Sequence, residues 1–273
     1  MKPDCRWKRS VKKKIGVLCG TEKNQEWLLP WWWSRYREYN DFPVTFFDFG
    51  MSDEMKAWCA RKGELCSANL EPPLICSRSD IDPVLAKEWE RLYGSTVWSS
   101  RPIWFKKPFA FLNSSYEKTV WIDLDCEVLG PLDFLFSHSE SLALVREYSR
   151  QHLSRNDPNV CYNGGVIVFQ HGISIIEKWA EDAMVKNDRF GGDDLLLSYL
   201  IHKFQWSVAE LPEIYNWRIA QGLNLNAVIV HWLGSWGKAY IRKYGGIKPL
   251  LNSFNSLPGG NADEVFRNLE EKP

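Results

Sequence analysis

The sequence predicts an α/β domain built around a mostly parallel sheet. Short runs of β-branched and aromatic residues alternate with longer segments whose apolar residues recur at helical spacing. Such alternation favours parallel strands, because a parallel pair has to be joined by a crossover that is usually a helix. The 273 residues, of which 45% are hydrophobic and 25% charged, are enough to form a substantial core.

The length alone would allow one large domain or two small ones. No internal repeat and no clear linker divides the sequence, so we expect a single domain over residues 15–250. A basic tail at 1–14 would precede this domain, and an extension at 251–273 would follow it.

The charge balance gives no reason to expect binding to nucleic acid. Lys and Arg together number 34, as do Asp and Glu, so no net charge attracts polyanions. Basic residues near Trp7 could touch an anionic membrane surface, but a solvated tail is the more ordinary interpretation. The seven cysteines include no C-x-x-C pair, which argues against a disulfide framework and a structural zinc site. With no signal-peptide or transmembrane pattern, we expect a cytoplasmic protein.

Apolar patterning and turn signals place the elements along the chain. The strands are predicted at 15–19, 44–48, 65–68, 74–76, 120–122, 142–146, 161–170, 208–211 and 228–231. The helices are predicted at 25–38, 53–62, 83–93, 101–112, 132–136, 173–187, 195–201 and 262–271. Asn24, Ser52 and Asp82 can cap three of these helices. The polar stretch 149–159 predicts a mobile loop that could cover a site.

Two acids follow the central predicted strand. Asp123 and Asp125 lie two residues apart, so on an extended chain both carboxylates face the same side. Two anions at the end of a buried strand are costly unless a positive charge sits between them. A hard divalent cation meets this need, since it takes oxygen ligands and can bridge to phosphates. The carboxyl end of a sheet strand is also where open α/β sheets bind ligands.

His231 ends another apolar run. A single histidine at a strand end is more often a hydrogen-bonded structural residue than a ligand. Alternatively, it would complete a ligand set with Asp123 and Asp125. Such mixed oxygen and nitrogen ligation suits Mn²⁺ better than Mg²⁺.

Glycine-rich segments mark two further candidate positions. Asn163-Gly164-Gly165 could be an ordinary tight turn, or a place where the backbone approaches a ligand and the Asn amide binds a hydroxyl. Asp193-Asp194 could simply complement the dipole of the helix that follows. Gly191-Gly192 before them, however, have no side chains, so a ligand could come close to the backbone there, as it does in many binding sites.

The order of these motifs carries a family resemblance. The ordered set is Asp123-x-Asp125, Tyr162-Asn163-Gly164-Gly165, Gly192-Asp193-Asp194, Leu211-Pro212 with Tyr215-Asn216, and His231-x-x-Gly234. Over residues 15–238 the sequence resembles the retaining glycosyltransferases of family 8, which include glycogenin-like enzymes and bacterial galactosyl- and glucosyltransferases. The resemblance implies the GT-A fold and the metal-dependent transfer of a hexose from a UDP-sugar to an acceptor hydroxyl.

The resemblance also implies roles for individual residues. Asp123, Asp125 and His231 would bind Mn²⁺ (or Mg²⁺). Lys107 lies sixteen residues before Asp123, where the family places a sugar- or phosphate-contacting lysine, and Lys106 is its rival. Lys107 would act in catalysis together with Asp193 and Asp194. The donor would be held by Cys19, Gly20, Thr21, Lys107, Asp123, Leu124, Asp125, Asn163, Gly164, Gly165, Asp193, Asp194, Gly234 and Lys238.

Two departures from the family pattern concern the chemistry directly. The spacing from His231 to Lys238 is one residue longer than the family's, which puts the role of Lys238 in question. Asp194 stands where the family often has Gln. A carboxylate there could act as a nucleophile in a double displacement, or it could stabilise an oxocarbenium-like state during same-face attack.

Two other functions remain as alternatives. A non-catalytic module that binds nucleotide sugars or carbohydrates could keep the same fold. A sugar-nucleotidyltransferase is less favoured, because the segment from Gly20 to Lys23 makes a poor phosphate-binding loop. The sequence leaves the donor sugar, the oligomeric state and the acceptor open, and the acceptor could be a glycan, a lipid, a protein or a small molecule.

Overall fold

The computed structural model describes residues 13–66, 75–147 and 161–249. The strands are β1 Lys13–Thr21, β2 Val44–Asp48, β3 Glu64–Cys66, β4 Tyr116–Ile122, β5 Cys126–Val128, β6 Leu142–Arg146, β7 Tyr162–Gln170, β8 Ala209–Glu210, β9 Trp217–Arg218 and β10 Ile229–His231. The helices are α1 Leu28–Tyr39, α2 Asp53–Ala60, α3 Pro83–Tyr93, α4 Val97–Trp104, α5 Lys107–Leu112, α6 Asp133–Ser137, α7 Ser174–Val185, α8 Asp193–Lys203 and α9 Gly234–Tyr244.

The central sheet is mixed but mostly parallel, as predicted. Its seven strands lie in the order β3-β2-β1-β4-β7-β6-β8, and a smaller sheet has the order β5-β10-β9. In the central sheet β7 runs antiparallel to both of its neighbours, whereas the other neighbouring strands pair in parallel. The start of β7 therefore lies at the same edge as the ends of β1, β2 and β4, and the register Ile122↔Val166 fixes this arrangement.

Apolar side chains on alternate residues of the sheet feed a core on each face. On β1, Val17 and Cys19 pack with α1 residues such as Trp32, whereas Leu18 packs on the other face with Phe111. Successive strand residues point to opposite faces, so one strand serves both cores. All four of the central-strand residues from Thr119 to Ile122 are buried.

The region around Lys107 differs from its prediction. Residues 101–112 form two helices rather than one, because α4 ends at Trp104 and α5 begins at Lys107. Pro108 lies in the first turn of α5, where a missing backbone N–H costs nothing. The break places Lys106 and Lys107 at a junction, so the two side chains leave in different directions.

Other differences concern caps and short elements. Ser52 and Asp82 cap their helices as predicted, but Asn24 does not, since α1 starts later. Residues 75 and 76 form no strand, and the Cys76 amide instead bonds the side chain of Asn187 at 2.8 Å. The strands β5 and β9 and the helix α9 were not predicted. The N-terminal tail up to residue 12, the loop 149–159 and the helix 262–271 lie outside the described residues.

None of the helices within the described residues has both the length and the apolar character needed to cross a bilayer.

Candidate functional site

A cleft opens at the edge of the sheet where β1 and β4 end. It has about 540 Å³ of space including its open mouth. Several predicted site residues line it, namely Gly20, Thr21, Lys107, Asp123, Leu124, Asp125 and Lys238. The cleft is also lined by residues that the sequence analysis did not single out, which are Gln25, Phe49, Ser100, Ile103, Trp104 and Trp121.

The two acids occupy a turn rather than an extended strand. β4 ends at Ile122, and the Cys126 amide bonds the Asp123 carbonyl at 3.0 Å to close the turn. The expectation that Asp123 and Asp125 share an extended segment was therefore wrong. A turn rotates successive side chains, so the two carboxylates meet different partners.

Asp123 faces a lysine and a tryptophan. Its Oδ1 accepts a hydrogen bond from Trp121 Nε1 at 2.6 Å and lies 3.1 Å from Lys107 Nζ. The Asp123 side chain is 26% exposed, so it also borders the cleft. Trp121 was predicted only as part of a strand, and its indole N–H proves to fix one oxygen of this acid.

Asp125 forms a second charged group. Its Oδ1 lies 3.3 Å from His231 Nε2, and its Oδ2 lies 2.5 Å from Lys238 Nζ. Burial alone would raise the pKa of Asp125, but Lys238 and His231 outweigh burial and hold this pKa well below its usual range. Asp125 is therefore an anion at neutral pH. The longer spacing before Lys238 does not keep its side chain from the site, since α9 carries it to Asp125.

The His231 ring packs directly on Gly165, the second glycine of Asn163-Gly164-Gly165. β10 pairs with β5 so that His231 lies opposite Cys126, and Gly165 lies beneath the ring. A Cβ at Gly165 would lie 2.3 Å from His231 Cε1, closer than real atoms approach. The group that approaches Gly165 closely is therefore the imidazole, and the predicted approach of the backbone to a ligand stays a prediction.

The donor groups here fit a divalent cation. Ligand atoms of Asp125, Cys126 and His231 all lie within 4.8 Å of one another. A carboxylate oxygen and an imidazole nitrogen suit Mn²⁺ and related ions, and Cys126 would add a softer donor. Asp123 is directed toward Lys107 instead, so its role as a ligand stays a prediction. Cys126 was missed because the three-residue strand β5 leaves no pattern to find.

Lys107 connects the turn after β4 with β7 and α8. Its Nζ donates to the Gly164 carbonyl at 3.0 Å and lies 3.1 Å from Asp123 Oδ1 and 3.4 Å from Asp193 Oδ2. Burial lowers the pKa of Lys107, but the neighbouring acids reverse this and raise it above its ordinary value. The rival Lys106 points elsewhere and donates to the Phe49 carbonyl at 2.8 Å.

The acids that begin α8 lie beneath this lysine. Burial raises the pKa of Asp193 to about 7, although Lys107 acts in the opposite direction. The 3.4 Å separation from Lys107 is long, and Asp193 Oδ2 has no hydrogen bond. Asp194 Oδ1 accepts from the Leu195 amide at 2.9 Å. A Cβ at Gly164 would lie 3.2 Å from Asp194 Cβ, so the glycine keeps β7 close to α8.

Three other residues that were predicted to hold the donor are not placed for direct contact with a ligand in this structure. Cys19 is fully buried in the core below the cleft, and burial raises the pKa of its thiol. Gly234 begins α9 with a left-handed φ of 73°, which suits glycine. Asn163 is 2% exposed, and its amide bonds Glu147, Gly165 and Asn216. Its proposed contact with a sugar hydroxyl stays a prediction.

Comparison with solved structures identifies the class of fold. Neither a protein-family model nor a curated protein sequence matches the chain. The galactosyltransferase LgtC, in complex with donor and acceptor sugar analogues, superposes with a TM-score of 0.56 and 12% identity over 89% of this chain and 97% of LgtC. The glycosyltransferase GlyE of Streptococcus pneumoniae gives a TM-score of 0.54 and 15% identity over 94% of this chain and 60% of GlyE.

A third similar structure, mouse xyloside xylosyltransferase 1, gives a TM-score of 0.50 and 14% identity over 80% of this chain and 97% of the mouse protein. All three are glycosyltransferases by description. The fold of this chain is accordingly a glycosyltransferase fold of the α/β class. More narrowly, it is the GT-A fold, which confirms the fold that the family-8 resemblance implied.

Proposed function

We propose that this protein is a metal-dependent glycosyltransferase that moves a hexose from a UDP-sugar to an acceptor hydroxyl with retention of configuration. The observation that carries the proposal is the group of Asp125, His231 and Lys238, in which Asp125 and Lys238 line a cleft that Lys107 also lines. Glycosyltransferases with the same fold support the assignment.

Asp125 and His231, with Asp123 at the turn, would hold the cation. When bound, a divalent cation supplies positive charge to the diphosphate oxygens of the leaving group. Lys238 sits beside Asp125 and can add a second positive charge there. Fixed positive groups in a partly water-excluded cleft stabilise the charge that develops as the sugar–phosphate bond breaks, typically by several kcal/mol.

Lys107 and the acids of α8 would hold the sugar. Asp193 and Asp194 lie near the Lys107 ammonium, which is positioned between them and Asp123. Asp194 would lie beside the anomeric carbon, where it would act either as nucleophile or as an electrostatic stabiliser during same-face attack. Gly20, Thr21 and the aromatic ring of Phe49 would receive the nucleoside end of the donor.

The direct test is Asp125→Ala in an assay of UDP release from a panel of UDP-sugars, with and without Mn²⁺ and EDTA. We expect about a 100-fold or larger loss of turnover, because removing a metal ligand removes the main electrostatic contribution. Wild-type-like turnover in the variant and in EDTA would refute the proposal. Metal-dependent UDP binding with no hydrolysis or transfer would favour a non-catalytic binding module, and release of pyrophosphate would favour a nucleotidyltransferase.

A further inference from the structure

Four buried polar residues form a series of contacts that ends at His231. Its members, each at most 3% exposed, are Arg218, Glu147, Asn163 and Asn216. Of these, only Asn163 was predicted to contact the donor. Arg218 forms an ion pair with Glu147, and Glu147 accepts from Asn163 Nδ2 at 3.1 Å. Asn163 contacts Asn216, which contacts the His231 ring. Buried polar groups of this kind are expensive unless they are fully paired, so their arrangement carries information.

The backbone fixes the orientation of Asn163. The Gly165 amide can only donate, and it lies 2.9 Å from the Asn163 side chain, so the atom it meets is Oδ1. The other end of the same amide faces a Glu147 oxygen. A carboxylate accepts hydrogen bonds, so this end is the NH₂ group. Both neighbours therefore require the same orientation.

The orientation of Asn216 follows from that of Asn163. Asn163 Oδ1 accepts, so the Asn216 atom 2.8 Å away is the donor Nδ2. The remaining Asn216 atom is its carbonyl oxygen, which lies 2.9 Å from His231 Nδ1. An amide oxygen only accepts, so Nδ1 of His231 carries the hydrogen.

This assignment decides what the other side of the ring presents. With the hydrogen on Nδ1, a neutral imidazole exposes the lone pair of Nε2. That nitrogen lies 3.3 Å from Asp125 Oδ1, which also presents a lone pair. Two acceptors face each other favourably only when a positive centre lies between them, which is either a proton on Nε2 of an imidazolium or a coordinated cation.

We propose that Asn216 is a positioning residue for the cation site, which holds the His231 ring in the tautomer whose Nε2 is available as a ligand. Arg218, Glu147 and Asn163 hold Asn216 in the required orientation. Partners of this type around metal-binding histidines fix ring orientation and strengthen the ligand. The inference deepens the proposed function, since it depends on a cation at Asp125 and His231.

The first experiment measures Mn²⁺ affinity by electron paramagnetic resonance of the free ion. Asn216→Ala is expected to weaken binding by about 10- to 100-fold, the usual effect of losing a partner behind a ligand. Asn216→Asp keeps an acceptor for the Nδ1 hydrogen but loses the donor to Asn163 Oδ1, so it should restore only part of the affinity. A fold-intact Asn216→Ala protein that binds Mn²⁺ within about twofold of wild type would overturn the inference, since about tenfold is the least expected.

The matched control is Asn40→Ala. Asn40 is also buried, and its side-chain amide donates to the Gly130 carbonyl at 3.1 Å and accepts from the Leu132 amide at 2.8 Å. Neither of these partners lines the cleft. It should lower the melting temperature without changing Mn²⁺ affinity. An equal loss of affinity in the control would show that general destabilisation, rather than Asn216, sets the effect, and would overturn the inference.

The second experiment needs neither metal nor catalysis. Nitrogen NMR of the metal-free wild type at about pH 8, above the usual histidine pKa, should show a hydrogen on Nδ1 of His231, assigned with a His231→Asn variant. In Asn216→Ala the neutral ring should move its hydrogen to Nε2 and donate to Asp125. A wild-type ring with bare Nδ1 would overturn the inference even if Mn²⁺ binds. A wild type that binds no Mn²⁺ would refute the cation site and with it the proposed function, whereas an Nδ1 hydrogen in that protein would still show that Asn216 sets the tautomer of His231.

Discussion

The adjacent lysines Lys106 and Lys107 make different contacts, although they have the same side chain. Lys107 is 5% exposed and contacts Asp123, Asp193 and a backbone carbonyl of the cleft. Lys106 reaches only the Phe49 carbonyl among the contacts described above, and burial lowers its pKa. The family position favoured Lys107. It could not exclude Lys106, because the two lysines are adjacent in sequence and have the same side chain. The helix break between α4 and α5 is what distinguishes them.

This difference gives a paired prediction. Lys107→Met should lower kcat/KM for the donor by about 100- to 1,000-fold, since it removes a preorganised positive charge. It should also destabilise the fold, because buried Asp193 loses the lysine beside it. Lys106→Met removes a similar side chain from the same junction and should change kcat/KM by less than about tenfold. Steady-state kinetics and melting curves of both variants provide the check, and equal losses of kcat/KM would contradict it.

At the scale of elements, the contact of β7 with β10 shapes the site most. Gly165 of β7 lies against the imidazole that ends β10, and its carbonyl accepts the amide of Asp123 at 2.8 Å. One glycine thus ties the turn after β4 to the end of a strand in the second sheet. Any side chain at this position has to displace either the ring or the turn.

Gly165→Ala is therefore expected to harm the site more than its size suggests. We expect a loss of about 1–3 kcal/mol in the free energy of unfolding from overpacking, together with weaker Mn²⁺ binding as the ring shifts. Gly130→Ala is the control, because the three described atoms nearest its Cβ would all belong to Val228, the first of them at 3.3 Å. Urea unfolding and Mn²⁺ titration would measure both effects. Unchanged Mn²⁺ affinity in Gly165→Ala would show that the ring tolerates displacement.

The elements also show which parts of the fold the sequence could predict. The strands β1, β2, β6 and β7 were predicted because each contains an apolar run. The helix caps Ser52 and Asp82 were predicted because Ser and Asp side chains can bond backbone amides of the first helical turn, as they do here. Helix α9 was missed because two glycines near its start resemble a loop. Gly237 is nevertheless required, since a Cβ there would lie 2.4 Å from the Trp232 carbonyl oxygen.

For the whole molecule, several members of the candidate site were predictable, but the pairing between them was not. Asp123, Asp125 and His231 were found from residue type, order along the chain and the family resemblance. The sequence did not show that Asp123 pairs with Lys107 while Asp125 pairs with His231 and Lys238. The two Asp125 contacts join residues more than one hundred positions apart, and the Asp123 contact depends on the helix break before Lys107. Asn216 appeared only as part of a motif, since its role depends on an amide orientation that spacing does not encode.

The overall stability should depend on pH through Asp193. Burial raises its pKa to about 7 from an unfolded value of 3.8. The unfolded chain therefore releases this proton at lower pH than the folded protein does, so the contribution of Asp193 to stability falls as pH rises from about 4 to about 7. Asp193→Asn should remove this fall and flatten the metal-free stability profile between those values. Urea unfolding across that pH range provides the measurement, and an unchanged slope in the variant would contradict the assignment.

The reversed direction of β7 divides the molecule into two ends with different tolerance of change. Its start belongs to the cleft, whereas its last residue, Gln170, pairs with Lys118 near the start of β4 at the far side of the sheet. Directly beyond it, Gly172 occupies an exposed turn with φ of 78° and open space around it. A fluorescent label or affinity handle inserted at this turn would leave the cleft open to donor and acceptor, which makes the turn the natural place to immobilise the protein for screening sugars.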